Sequence, residues 1–317
     1  MINISADFLK KNQEYIKIIT EIKKSYKKSF KVPPRVIHEI KNKINPGNLF
    51  IMPAWENDKY IGVKVSTSFP SNTKINKPSI HGRYILFCSK TGFVLSVIDG
   101  AELTAIRTVA SAALATSILS KKSASSMLIV GTGKLASKIP FFYRSVRNIK
   151  IFYVWGRNFS KAKELCKYFK KNKINAIPVI NISEVSKKVD IISCVTPSKK
   201  SLVLGKNVSK GCHIDLIGAF NKSMRESDDN LIKRGRVFFD NKEGGFKEAG
   251  DILIPLKKKL ISKRHIKGDF YDLIQGRVKG RTSDQQVTIY KSVGDALQDY
   301  SVARYFYKIL KALNQFF

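Results

Sequence analysis

Two glycines set the first chemical expectation for this chain. In the stretch SSMLIVGTGKLASKI, residues 125–139, an apolar run ends at Gly131 and Gly133 follows after one residue. A tight turn at Gly131 and bare backbone at Gly133 would let a pyrophosphate approach closely. Free N–H groups and the dipole of a following helix would favour its charge. Ala136, third in the pattern, is small enough for that helix to lie against the strand. Many ligand-free loops contain Gly-x-Gly, so the context decides. Here MLIV (127–130) and IFYVW (151–155) are β-competent runs at the spacing of a strand-helix-strand unit. Gly131, Thr132, Gly133, Lys134 and Leu135 are therefore the candidate cofactor-binding turn.

The end of the second strand addresses which dinucleotide. NAD sites usually carry Asp or Glu there to accept from the ribose 2′-hydroxyl, whereas this chain reads VWGRN, with Arg157 and Asn158. A carboxylate would repel a 2′-phosphate and Arg157 would pair with it. NADPH is expected to be preferred, with NADH as the other candidate.

Composition bounds the scaffold. The chain has 317 residues with 43% hydrophobic content, enough for a full core and about two domains. It carries 58 Lys plus Arg against 24 Asp plus Glu, a formal charge of +34. Such a charge would ordinarily suggest nucleic acid or an anionic membrane. The lysines are spread from Lys10 to Lys311 without a basic tail, so a solvated cationic surface is expected rather than a polyanion partner. Cys88, Cys166, Cys194 and Cys212 have no CxxC spacing and read as buried thiols, with no metal site. The first nineteen residues lack a long apolar core, so neither a signal peptide nor an anchor is expected, and a cytoplasmic setting follows.

These residues need elements to position them. Tyr15, Ile18, Ile19, Ile22 and Tyr26 recur at helical spacing. The runs LFIMPAW, IGVKVSTSF, RYILFC and FVLSVID, separated by turn residues, predict an antiparallel sheet. Residues 103–119 are alanine-rich and free of Gly and Pro, which predicts a long helix. Beyond it IFYVW, AIPVI, DIISCVT, HIDLIG and RVFFD alternate with helical stretches, the pattern of a parallel, doubly wound sheet. A strand-like VTIY and a helix from about Asp295 close the chain.

Six pieces in sequence order resemble the ornithine cyclodeaminase and mu-crystallin family: VPPR, MPAW followed by GVKVSTSFPSN, TGFVLSVIDGAELTAIRTVAS, GTGKLAS, GAFNKSMRESD and KSVGDALQDYSVAR. The resemblance implies an α/β fold, with a Rossmann domain over 117–293 beside a discontinuous α+β substrate-binding and dimerisation domain over 1–116 and 294–317. It implies hydride transfer between a nicotinamide and an α-amino or α-imino acid, in a homodimer. Carried over by motif, Arg35, Lys64 and Arg107 would surround the substrate carboxylate, a task suited to bidentate Arg and point-charge Lys. Lys64 is the candidate catalytic residue, placed either to hold the carboxylate or to move a proton. Ser79 would contact the substrate, and local sequence reads it equally well as a turn serine. Thr108 and Thr196 join the cofactor neighbours, and Val293 would pack near both nicotinamide and substrate.

One departure from the family pattern is consequential. The cyclodeaminase branch has two acidic residues near the substrate's amino groups, where this chain aligns Phe50 and Phe220. Two phenyl rings favour an apolar ring over a side-chain ammonium. The loop GAFNKSMRESD also resembles the branch that reduces the cyclic ketimines Δ1-pyrroline-2-carboxylate and Δ1-piperideine-2-carboxylate to proline and pipecolate. The alternatives are a cyclodeaminase, an amino-acid dehydrogenase, and a nonenzymatic NADPH-dependent binding protein. His81 reads as a half-exposed hairpin histidine, and nothing in the sequence places Glu102, Asp215 or Asp299 at a reacting centre.

Overall fold

The computed structural model describes residues 1–313. The chain divides into two compact units, residues 1–107 with the segment from Asp295 onward, and residues 108–294. The first crossing falls inside the helix Gly100–Leu119, earlier than the expected 116, and the second lies between Gly294 and Asp295. That helix is long and apolar enough to cross a membrane, but most of it is buried inside the protein, as in a core helix.

The first unit is built on a six-stranded sheet. Its strands are β1 (Ile2–Ile4), β2 (Val36–Ile40), β3 (Gly47–Glu56), β4 (Tyr60–Ser68), β5 (Ile80–Cys88) and β6 (Val94–Asp99). The order is β1-β6-β5-β4-β3-β2. The four predicted strands form its antiparallel centre, while β1 and β2 were not anticipated and β1 runs parallel to β6. Three residues in β1 and a mixed pattern in β2 carry too little periodicity to read. Pro53, which cannot donate to a ladder, lies past the reach of β2, whose pairing with β3 stops at Ile51.

Alternation fixes what each sheet face does. Met52, Lys64, Tyr84 and Ile98 form one row across β3 to β6 and are all buried. The helix Ala296–Leu313 packs against β3, β4 and β5, and against the helix Tyr15–Tyr26. The next residues along each strand, Pro53, Val63, Ile85 and Val97, form a half-buried row on the opposite face.

The second unit holds eight parallel strands: β7 (Ser126–Val130), β8 (Ile151–Trp155), β9 (Ala176–Val179), β10 (Ile191–Cys194), β11 (His213–Leu216), β12 (Arg236–Phe239), β13 (Ile266–Gly268) and β14 (Thr288–Lys291). Their order is β13-β12-β14-β11-β10-β7-β8-β9. From β7 the chain winds to β8 and β9 on one side, then to β10 and β11 on the other. The direction of winding reverses between β7 and β10, so the crevice beyond their carboxyl ends is where such sheets bind ligands. VTIY becomes β14, inserted between β11 and β12. Pro178 is tolerated because β9 is an edge strand.

Candidate active site

In the first unit, two of the three expected carboxylate-binding cations converge on one acid. Lys64 Nζ donates to Asp299 Oδ2 at 2.8 Å, and Arg107 Nε donates to Asp299 Oδ1 at 3.1 Å. Arg107 Nη1 reaches Gln298 Oε1 at 3.2 Å, and Gln298 Nε2 donates to Tyr26 Oη at 3.3 Å. Tyr26 in turn donates to Asp295 at 3.0 Å. Asp295, Gln298 and Asp299 fall at i, i+3 and i+4, so one side of the C-terminal helix organises both cations. Nothing in the sequence places Asp299 at a reacting centre; the structure makes it the hub. Its signal was a run of polar residues at helical spacing inside a segment that is otherwise apolar.

Burial shapes the charges. Loss of hydration pushes the Lys64 ammonium down to about 8, helped by the like charges of Arg107 and Arg35, against the pull of Asp299. Asp299 is also fully buried, which alone would raise its carboxyl, but Arg107 and Lys64 hold it below the usual range. Arg35 sits just before β2 and is half-buried. Extending the β2–β3 register by one residue sets it opposite Met52, in the row that contains Lys64. Phe50 pairs with Ser66, two residues from Lys64 and therefore on the same sheet face. The half-buried Ser79 takes the local reading's role, its carbonyl accepting from Phe69 N at 2.7 Å in the turn before β5. His81 is exposed.

The second unit carries the glycine turn expected to cradle a dinucleotide. Gly131 has φ +136°, and a Cβ there would lie 2.9 Å from Val195 Cγ2, so this turn requires glycine. A Cβ at Gly133 would meet nothing within 4 Å, which leaves the open backbone that a pyrophosphate needs. The residues present therefore fit a dinucleotide. The following helix differs from expectation. A 3-10 turn (Ala136–Lys138) precedes a short helix (Ile139–Arg144) with Pro140 in its first turn, although Ser137 N already donates to Gly133 O at 3.2 Å. Thr132 is half-buried and Leu135 likewise, whereas Lys134 is exposed.

Arg157 is exposed at the end of β8, and its guanidinium makes no hydrogen bond or ion pair among the described residues. Asn158 has a local task instead: its side-chain oxygen caps the helix Phe159–Lys171, accepting from Ser160 N at 2.9 Å and Lys161 N at 3.4 Å. Thr108 is buried within the helix Gly100–Leu119.

At the carboxyl ends of the remaining strands two buried acids, both missed in the sequence, tie loops together. Glu226 accepts from Thr196 N at 2.6 Å, Thr196 Oγ1 at 2.9 Å, Gly218 N at 2.8 Å and Ala219 N at 3.2 Å. Asp240 accepts from Ser292 Oγ at 2.7 Å, Val293 N at 3.1 Å and Gly294 N at 2.7 Å. Thr196 and Val293 are thus held at the ends of β10 and β14. Phe220 follows β11 and remains partly exposed. Asp215 is elsewhere in the core, accepting from Tyr143 Oη at 2.7 Å and Thr116 Oγ1 at 3.2 Å beside His213. Glu102 lies in the first turn of its helix, with its N–H donated to Asp99 Oδ1 at 2.8 Å. Of the thiols, Cys166, Cys194 and Cys212 are buried but Cys88 is half-exposed, correcting that expectation; all four are free.

A doubly wound parallel sheet with this glycine turn, and a buried Lys64–Asp299–Arg107 cluster in the same chain, is the pattern of a nicotinamide-dependent oxidoreductase. The sequence pattern of the ornithine cyclodeaminase/mu-crystallin family matches residues 5–314, and the chain belongs to that family. It is 34% identical over 301 residues to the Δ1-pyrroline-2-carboxylate reductase of Colwellia psychrerythraea, covering 93% of this chain and 95% of that one. Among solved structures, the Δ1-pyrroline-2-carboxylate reductase of Thermococcus litoralis, in complex with NADH and L-proline, superimposes with a TM-score of 0.92 at 31% identity. That match covers 99% of this chain and 98% of the other. An archaeal alanine dehydrogenase dimer with bound NAD gives a TM-score of 0.91 at 26% identity, covering 99% and 97%.

Proposed function

We propose that this protein reduces cyclic ketimine acids with NADPH, converting Δ1-pyrroline-2-carboxylate to L-proline and Δ1-piperideine-2-carboxylate to L-pipecolate. The observation that carries the reading is the buried Lys64–Asp299–Arg107 cluster with Arg35 in the same row and Phe50 on the same face. It suits a ligand with one carboxylate and an apolar ring. An ammonium-bearing side chain, by contrast, would meet Phe50 where the cyclodeaminase branch has an acid.

The bound nicotinamide would supply a hydride to the imine carbon. Everything else falls to the chain. Arg35, Lys64 and Arg107 hold the carboxylate and so orient that carbon, while Asp299 keeps Lys64 and Arg107 in place. Lys64 carries a proton at neutral pH and releases it more easily than a solvated lysine, which suits it to stabilise or protonate the imine nitrogen. Arg157, uncommitted among the described residues, supports NADPH over NADH. Free thiols suit a reducing cytoplasm. The half-buried apolar face of the first unit's sheet supports a homodimer, and the archaeal alanine dehydrogenase is a dimer.

Incubation of the purified protein with NADPH and Δ1-pyrroline-2-carboxylate should consume NADPH and yield L-proline. Proline formation from ornithine with no NADPH consumption from the ketimine would instead establish a cyclodeaminase.

A further inference from the structure

Glu226 is fully buried, yet it belongs to neither the carboxylate cluster nor the glycine turn. Its two oxygens divide their work evenly. Oε1 takes the N–H and hydroxyl of Thr196, in the loop after β10; Oε2 takes the N–H groups of Gly218 and Ala219, in the loop after β11. One carboxylate thus clamps two loops that leave adjacent parallel strands at the ligand-binding end of the sheet.

Behind it stands a second buried pair. Asp251 Oδ1 accepts from Glu226 N at 2.8 Å and from Ser227 N and Oγ, while Lys291 Nζ lies 3.1 Å from Asp251 Oδ2 and donates to Ala219 O. All three charged side chains have zero exposure. Burying a charge set is costly, and the cost is offset only where the geometry is good and further hydrogen bonds satisfy the ions. Here it fixes backbone donors, and only an anion with both oxygens free can accept four hydrogen bonds.

We infer that Glu226 is a positioning residue for the bound dinucleotide, holding the loops after β10 and β11 in their binding form only while its carboxylate is ionised. This rests on the nicotinamide reading above.

The charge state is finely placed. Burial raises Glu226, Lys291 lowers it, Asp251 raises it, and the Thr196 donors lower it, leaving it at about 7. Cys194 of β10, pushed well up by burial and by Glu226 itself, stays a neutral thiol. When Glu226 takes a proton, one oxygen becomes a donor facing at least one backbone N–H, which cannot accept. One side of the clamp then opens, and cofactor affinity falls with pH.

The test is direct NADPH binding by fluorescence between pH 5.5 and 9 for wild type, Glu226→Gln and Asp251→Asn, with thermal melts as a check on folding. The 2′-phosphate of NADPH titrates in wild type and variants alike, so differences between profiles isolate the clamp. Wild type should weaken as pH falls through about 7. Glu226→Gln should bind about tenfold more weakly at pH 8 and converge with wild type at pH 5.5. Asp251→Asn removes one negative neighbour and leaves Lys291, so its midpoint should move to lower pH. Superimposable wild-type and Glu226→Gln profiles would overturn the inference. Should Glu226→Gln not fold, an unmoved midpoint in Asp251→Asn would overturn it instead. A wild-type protein that binds neither NADPH nor NADH at any pH would refute the nicotinamide reading itself.

Discussion

Lys64 Nζ lies 2.8 Å from Asp299 Oδ2, with the two side chains 6% and 0% exposed. An ion pair this dry is held by geometry and by further partners, and Arg107 supplies the second cation. Both charges are consequently tunable by their neighbours, which makes the pair readable through pH.

Lys64 titrates at about 8 instead of the 10.5 of a solvated lysine. Below 8 it is charged and can hold a carboxylate or give a proton; above 8 it is neutral and does neither. We expect kcat/KM for ketimine reduction to fall as pH rises through about 8. Lys64→Ala should lose about a hundredfold at pH 7 and show no such limb. A rise confined to KM would assign Lys64 to anchoring, and a fall confined to kcat to proton delivery. The folded state sheds this proton before the unfolded chain does. The Lys64 contribution to stability is therefore unfavourable below 8 and improves between 8 and 10.5, which urea unfolding at the two ends of that window would show.

Asp299→Asn keeps the shape of the hub and deletes its charge. Burial, Arg107 and Arg35 would then act on Lys64 without opposition, so its proton leaves at lower pH. The alkaline limb should move below 8, with activity at pH 8 reduced about tenfold and partly regained near pH 6. A pH–rate profile of the variant decides this, and a limb that stays at the wild-type position would remove Asp299 from its assigned role.

The sequence disclosed the parts whose local chemistry is self-contained. Gly131 and Gly133 announced a turn because backbone conformation is a short-range property, and the long helix over 103–119 followed from composition. The resemblance located Lys64 and Arg107, but not what joins them. Asp299 is 235 residues from Lys64 and 192 from Arg107, so their convergence depends on how the C-terminal helix packs on the sheet. Glu226 was hidden for a related reason: it sits in a loop whose composition suggests solvent, and its burial depends on Asp251 and Lys291 from two other elements. In the other direction, Asn158 showed a cofactor-like position in sequence and a helix-capping bond in the structure.

The two glycines of the turn should respond differently to alanine. At Gly131 a Cβ meets Val195 Cγ2 at 2.9 Å and the φ of +136° is strained for any L side chain, so Gly131→Ala should lower both the melting temperature and cofactor affinity. At Gly133 the Cβ has open space on the protein side, with nothing within 4 Å. Gly133→Ala should therefore melt like wild type yet bind NADPH at least about tenfold more weakly, because the methyl would occupy the pyrophosphate's path. Paired melting and fluorescence titrations separate the two, and normal NADPH binding by Gly133→Ala would place the phosphates elsewhere.

The proposed preference for NADPH rests on Arg157. Its guanidinium is exposed and uncommitted among the described residues, so removing it should cost little stability. Arg157→Ala should raise the KM for NADPH by about tenfold or more while leaving that for NADH within about twofold, the difference between losing a charge-assisted phosphate contact and losing nothing. Equal effects on both cofactors would mean that Arg157 does not read the 2′-phosphate.

The face of the first sheet opposite Lys64 bears on assembly. Pro53, Val63, Ile85 and Val97 form one half-buried row, and Trp55, Ile61, Phe87 and Val94 form the next, all apolar. A surface of this kind on a protein with formal charge +34 stands out, because repulsion between copies must be outweighed by apolar burial for them to associate. A second copy of the same face would meet that need, and two-fold pairing would make it self-complementary. Val63→Glu places a carboxylate mid-row on each copy, so two would face each other in the dimer. Sedimentation should show wild type as a dimer and Val63→Glu as a monomer. Raising the pH would not rescue the variant, since the added carboxylate is already ionised at neutrality. A variant that remains dimeric would show that the copies meet through another surface.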